Sequence, residues 1–144
     1  MSPFYIFSEK LEKLNLKSTI VVTALDSATG LGWDYLKLCG YCRDLEFCLI
    51  LSISPMSTRN YFVNVEGLYV SVNEDTQIDQ KIMLLFKHAN YIVKEGHKVS
   101  FYVKKERLLG VYYTLCSSGE VNWINYDYPS SEELEYVSEE EHYD

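Results

Sequence analysis

Apolar and polar positions along this chain fall into short blocks whose spacing changes from two to nearly four and back. Ser18–Leu25 (STIVVTAL) is rich in β-branched residues and predicts a buried strand, followed by a small-residue turn at Asp26–Gly32. Trp33–Cys39 fits strand or helix equally. Leu45–Ile53 (LEFCLILSI) predicts a strand buried on both faces or nearly so, broken by Pro55–Asn60. Tyr61–Val65 and Leu68–Val72 then read as a hairpin across Glu66-Gly67. From Thr76 or Gln77 the spacing becomes helical, with Ile78, Ile82, Leu85, Phe86, Ala89 and Val93 on one side and a stop at Gly96. Three strands are predicted after it, Lys98–Val103, Leu108–Leu115 and Glu120–Asn125, joined by the turns KKER and SSG. Ser8 can cap a short helix near the start. Near the end, Ser130 and Glu133 have capping-box spacing, although Leu134–Val137 would also suit a strand.

Strands, one long helix and more strands predict a β-rich α+β domain curled into a small barrel. A length of 144 residues suits a single compact domain, and 47% apolar with 15% aromatic residues can build its core. Charge separates the chain further: 13 Lys+Arg stand against 21 Asp+Glu, a formal −8. Seven of those carboxylates lie in Glu132–Asp144, so residues 1–131 are read as a nearly neutral body and 132–144 as an acidic tail. A neutral body is a poor general binder of phosphate backbones, although Lys98, Lys104, Lys105 and Arg107 form a local basic cluster. No apolar run reaches the ~20 residues of a membrane span, and MSPFYIFSEKLEKL lacks the regions of a secretory signal. An intracellular protein, cytoplasmic or nuclear and away from membranes, is therefore expected.

That setting predicts reduced thiols for Cys39, Cys42, Cys48 and Cys116. Cys39-Gly-Tyr-Cys42 has zinc-ligand spacing, but no second pair follows to complete four ligands, so no metal and no cofactor are expected. The histidines, His88, His97 and His142, have no nucleophile motif around them. Thr29-Gly-Leu-Gly32 falls short of a phosphate loop. The chain is not expected to be an enzyme.

Glu95–Ser138 (EGHKVSFYVKKERLLGVYYTLCSSGEVNWINYDYPSSEELEYVS) resembles a Tudor domain. Gly96-x-x-Val99-x-Phe101 stands at the family's opening strand and Val111-Tyr112-Tyr113 in its second. Trp123-Ile124-Asn125-Tyr126-Asp127-Tyr128 occupies its aromatic corner, and Leu51–Val65 with the helix 77–95 resembles the flank of extended Tudor modules. The resemblance implies a barrel over 95–138 and a non-catalytic interaction module. It would bind a peptide or partner protein, with methylated arginine the ligand class the family's aromatic rings imply, at Tyr102, Tyr112, Trp123, Tyr126 and Tyr128. Departures at Gly110, Asp127 and Tyr128 imply an impaired cage. The same stretch also resembles the last strands of a cold-shock domain, where a Gly-x-x-Val-x-Phe strand precedes a turn. The alternative is therefore an oligonucleotide-binding barrel holding single-stranded nucleic acid on Trp33, Tyr35, Tyr41, Lys104, Lys105 and Arg107. A third reading makes the acidic tail a mimic of DNA.

Overall fold

A computed structural model describes residues 20–23, 35–55, 60–116, 121–127 and 129–138. Seven strands form one antiparallel sheet: β1 Ile20–Thr23, β2 Tyr35–Cys42, β3 Leu45–Pro55, β4 Asn60–Asn73, β5 Tyr91–Glu95, β6 Lys98–Lys104 and β7 Asn122–Asp127. Their order is β5-β6-β4-β3-β2-β7, with β1 beside the first residues of β4. The two ends, β5 and β7, do not pair, so the sheet is open. This corrects the expected barrel, Tudor-like or oligonucleotide-binding, and with it the binding functions that rest on barrel closure. Among the described residues three helices accompany the sheet: α1 Gln80–His88, α2 Lys105–Leu115 and α3 Ser131–Ser138. Among the described residues no helix is long and apolar enough to cross a membrane.

Three further differences from the sequence reading accompany the open sheet. Tyr61–Val72 is not a hairpin but the middle of one 14-residue strand. Ile50 pairs with Gly67 and Leu51 with Val65, so Glu66 is the extra residue of a bulge. The bulge resets the alternation: Val63 and Val65 before it and Leu68, Val70 and Val72 after it all reach the same core. Gly67 is needed there because any side chain would run into the Tyr102 ring.

The helix expected over 77–95 is shorter. Asp79 caps it, its carboxylate accepting from the backbone N–H groups of Lys81 (2.9 Å) and Ile82 (3.0 Å). Ala89 takes an extended conformation, and Asn90 clips the chain to β6. Its N–H donates to the Tyr102 carbonyl at 2.8 Å and its side-chain oxygen accepts from Lys104 N–H at 3.0 Å. Tyr91, Ile92 and Val93, good strand formers, then pair with β6.

Leu108–Leu115 is helical rather than a strand. Leu108, Val111, Tyr112 and Leu115 recur three and four apart, and all four are buried. By contrast, the capping box at Ser130 is present. Glu133 N–H donates to Ser130 Oγ at 3.1 Å, and Ser130 N–H to the Glu133 carboxylate at 2.9 Å.

The sheet separates two cores. On one face α1 and α2 cover Leu36, Leu38, Phe47, Leu49, Leu51, Val70, Phe101 and their neighbours. On the other, a smaller cluster of Cys39, Cys48, Ile50, Tyr69 and Tyr102 is closed by Val137 of α3. All four cysteines are paired, Cys39 with Cys48 and Cys42 with Cys116, where free thiols were expected. The pairing follows from strand geometry. Residues three apart in β2 point to opposite faces, so Cys39 and Cys42 cannot meet each other or share a metal ion. Cys39 stands directly opposite Cys48 in the β2–β3 register, and Cys42 meets Cys116 at the end of α2 on the helix-covered face.

Candidate binding cleft on the polar face

Residues paired across an antiparallel sheet share a face, so the register sets out the polar face in rows. One row runs Tyr41, Glu46, Ser71, Ser100 and Val93 across β2, β3, β4, β6 and β5. The next, two residues along, runs Cys39, Cys48, Tyr69, Tyr102 and Tyr91. Helix α3 lies across this second row. Its first turn is held three ways at Glu133. The carboxylate caps its own helix and pairs with Lys37 Nζ at 3.0 Å, while its carbonyl accepts from the Tyr69 hydroxyl at 2.8 Å. Farther along, the Tyr136 ring meets that of Tyr91 at 4.8 Å.

Between α3 and the β5–β6 hairpin the rows floor a cleft of about 420 Å³, within the usual ~300–1,000 Å³ of ligand sites. Its charged lining comprises Lys37 and Lys98 against Glu46, Glu95, Glu132 and Glu133, an excess of two negative charges. Lys98 crosses β4 to reach Glu46 at 2.6 Å, and the Tyr41 hydroxyl donates to the other Glu46 oxygen at 3.1 Å. Burial acts to raise the Glu46 carboxyl, but the Lys98 hydrogen bond and charge, aided by Tyr41 and Lys37, hold it below its ordinary value. The same hydrogen bond to Glu46, with its charge, raises the exposed Tyr41 hydroxyl. Tyr69 is also raised, first by burial and then by the neighbouring Glu133 charge, so it stays a hydrogen-bond donor.

At the centre, Ser71 and Ser100 share a hydroxyl–hydroxyl bond of 2.8 Å, Ser71 being only 5% exposed. One of them donates. The other keeps its own proton available to an acceptor in the cleft.

The site residues expected from sequence are distributed differently. Tyr102 is fully buried in the smaller cluster, and Tyr112 is 4% exposed in the larger one. They lie on opposite faces of the sheet, Tyr112 packing edge-on against Phe47 at 5.9 Å, and do not share a surface. Trp123 and Tyr126 belong to β7, where their backbones pair with Gly40 and Leu38. Tyr128, Trp33 and His142 lie outside the described residues.

For the nucleic-acid alternative, Tyr35 is half-buried in the smaller cluster, while Tyr41 is exposed on the row of Glu46. Lys104 and Lys105 meet at the β6–α2 junction, and Arg107 donates to the His88 carbonyl at 3.3 Å. The basic cluster is therefore split, with Lys98 drawn onto the polar face by Glu46. The acidic stretch 132–144 begins inside α3, so its first carboxylates belong to the packed domain.

Sequence reasoning missed the cleft because its polar residues come from six elements. The available signal was slight: the Lys98-x-Ser100 spacing in β6 and the single polar residues Glu46 and Ser71 beside apolar stretches of β3 and β4. Among the described residues no group of three or more His, Cys, Asp or Glu side chains is arranged to hold a metal ion. No family model matches the chain, and neither the curated proteins nor the solved structures provide a match.

Proposed function

We propose that the polar face is the protein's binding site and that its ligand is a small amine-bearing polar molecule of amino-sugar size. The observation that carries this reading is the cleft itself: a volume of about 420 Å³, a spare hydroxyl proton at its floor and an excess of negative charge. A ligand ammonium would be drawn by Glu95 and Glu132, for which no ion pair is seen among the described residues, and by the faces of nearby tyrosines. Ligand oxygens would accept from the Ser71–Ser100 pair. The existing Lys37–Glu133 and Lys98–Glu46 pairs hold the walls in place, so little ordering remains to be done on binding.

The reading is one of binding rather than bond-making. His97 pairs with Glu74 at the surface, and His88 closes α1, so the described histidines stand away from the cleft. A protein partner, also expected from sequence, would meet the domain on the exposed apolar rim of Met83, Phe86 and Ile92, because Tyr102 and Tyr112 are buried. In the cytoplasmic or nuclear setting expected from sequence, the two disulfides would face a reducing glutathione pool.

Calorimetric titration with glucosamine, glucose and glucuronate tests the ligand class, since the three differ mainly in charge. The expected affinity order is glucosamine, then glucose, then glucuronate. Ser100→Ala is expected to weaken glucosamine roughly three- to ten-fold through one lost hydrogen bond. Equal affinity for all three, or no binding, refutes the reading.

A further inference from the structure

The two disulfides occupy different environments. Cys42 and Cys116 lie in the large core under α1 and α2, and neither lines the cleft. Cys39 and Cys48 lie on the polar face, and both line the cleft, with Cys39 9% and Cys48 5% exposed. Small thiols entering the cleft would therefore meet one disulfide and not the other. The excess of negative charge there repels anionic thiols and favours those carrying an ammonium group.

We propose that Cys39–Cys48 is a thiol-exchange site selective for small aminothiols. The incoming thiolate attacks Cys48 Sγ, the bond between the two cysteine sulfurs breaks, and Cys39 leaves as a thiolate. The direction is set by the neighbours. Lys37 shares the face of Cys39 two residues away and favours negative charge there, whereas Glu46 has the same relation to Cys48 and opposes it. The first product is a mixed disulfide on Cys48. A second aminothiol attacks the small-molecule sulfur of that adduct, giving the symmetric small disulfide and a Cys48 thiolate, and both protein thiolates take protons from water. The net change is reduction of one protein disulfide and oxidation of two aminothiol molecules. This site shares the cleft's charge with the ligand reading but needs no bound ligand, so exchange rates and sugar affinities are independent measurements.

The test treats the oxidised full-length protein with cysteamine or with 2-mercaptoethanesulfonate, thiols of similar size and opposite terminal charge. Timed acid quenching, alkylation and peptide mass spectrometry then follow each cysteine. Cysteamine is expected to open Cys39–Cys48 about ten-fold faster than Cys42–Cys116, with the adduct on Cys48, and the sulfonate to lose most of that preference. A Glu95→Gln/Glu132→Gln variant, altered only at exposed carboxylates, should narrow the gap between the two thiols. Four free cysteines in protein blocked with an alkylating agent at lysis overturn the proposal. So do equal opening of both disulfides, no opening of either, or equal selectivity with the two thiols.

Discussion

The two faces of this sheet are built from the same strands and differ in almost everything else. The face under α1 and α2 is continuous and apolar: Phe47, Leu51, Val70, Phe101 and Val103 are all essentially inaccessible, and α1 adds Leu85. The opposite face carries a small aromatic cluster beside a charged row, and α3 covers only part of it. Apolar burial has no direction and scales with area, so the first face supplies most of the stability. Paired charges at a partly exposed surface add little stability but fix where groups stand. One face holds the fold together, and the other is free to be a site.

Removing a side chain from the centre of the apolar face has the largest expected effect. Phe101 is fully buried, packs edge-on to Phe86 at 5.0 Å and lies on β6 opposite Val70. Phe101→Ala should cost about 3–5 kcal/mol in chemical denaturation. A loss well under that range would mean that the core is not where the sheet places it.

Two glycines sharpen the contrast at smaller scale. At Gly67 an added methyl group would strike Tyr102, the side chain that spans the bulge with its hydroxyl near the Glu66 carbonyl. Gly67→Ala should destabilise by about 1–3 kcal/mol. At Gly110, exposed in the middle of α2, an added methyl group meets nothing within 4 Å. There Gly110→Ala should stabilise by about 0.5–1 kcal/mol. The same substitution is thus expected to have opposite signs on the bulge and on the helix surface, as measured by denaturation midpoints.

These positions also show what could be read from the chain alone. β3 was legible because LEFCLILSI is too apolar to be anything but buried, and the capping box of α3 because Ser130 and Glu133 act locally. The bulge was not, because Glu66-Gly67 carries the same residues as a turn, and the strand runs on through pairing with β3 and with β6, more than 30 positions away in the chain. Val93 followed Ala89 at helical spacing, yet the Asn90 clip and pairing with β6 turned that stretch into a strand. For Leu108–Leu115 the helical recurrence was present in the residues, and the strand-like Val111-Tyr112-Tyr113 obscured it. The cleft depended on which strands become neighbours, information spread over the whole chain.

The smallest effect is expected from the charged row. Lys98→Met removes the partner of Glu46 at a site with the lysine about half exposed, so the loss at neutral pH should be below about 1 kcal/mol. Its pH dependence is more telling. Glu46 titrates below its ordinary 4.5 in the folded protein, so its pairing contributes stability above that range and loses it as pH falls through the folded value. Wild type and variant should therefore differ at neutral pH and converge in acid. A difference that persists at low pH would assign the loss to packing instead.

Backbone amide chemical-shift mapping with glucosamine tests the division between the faces most directly. The account predicts saturable shifts concentrated at residues 46, 71, 98, 100 and 132–136, with the amides of α1 and the buried residues of α2 unmoved. Shifts centred on α1 and α2, or scattered without saturation, would contradict it.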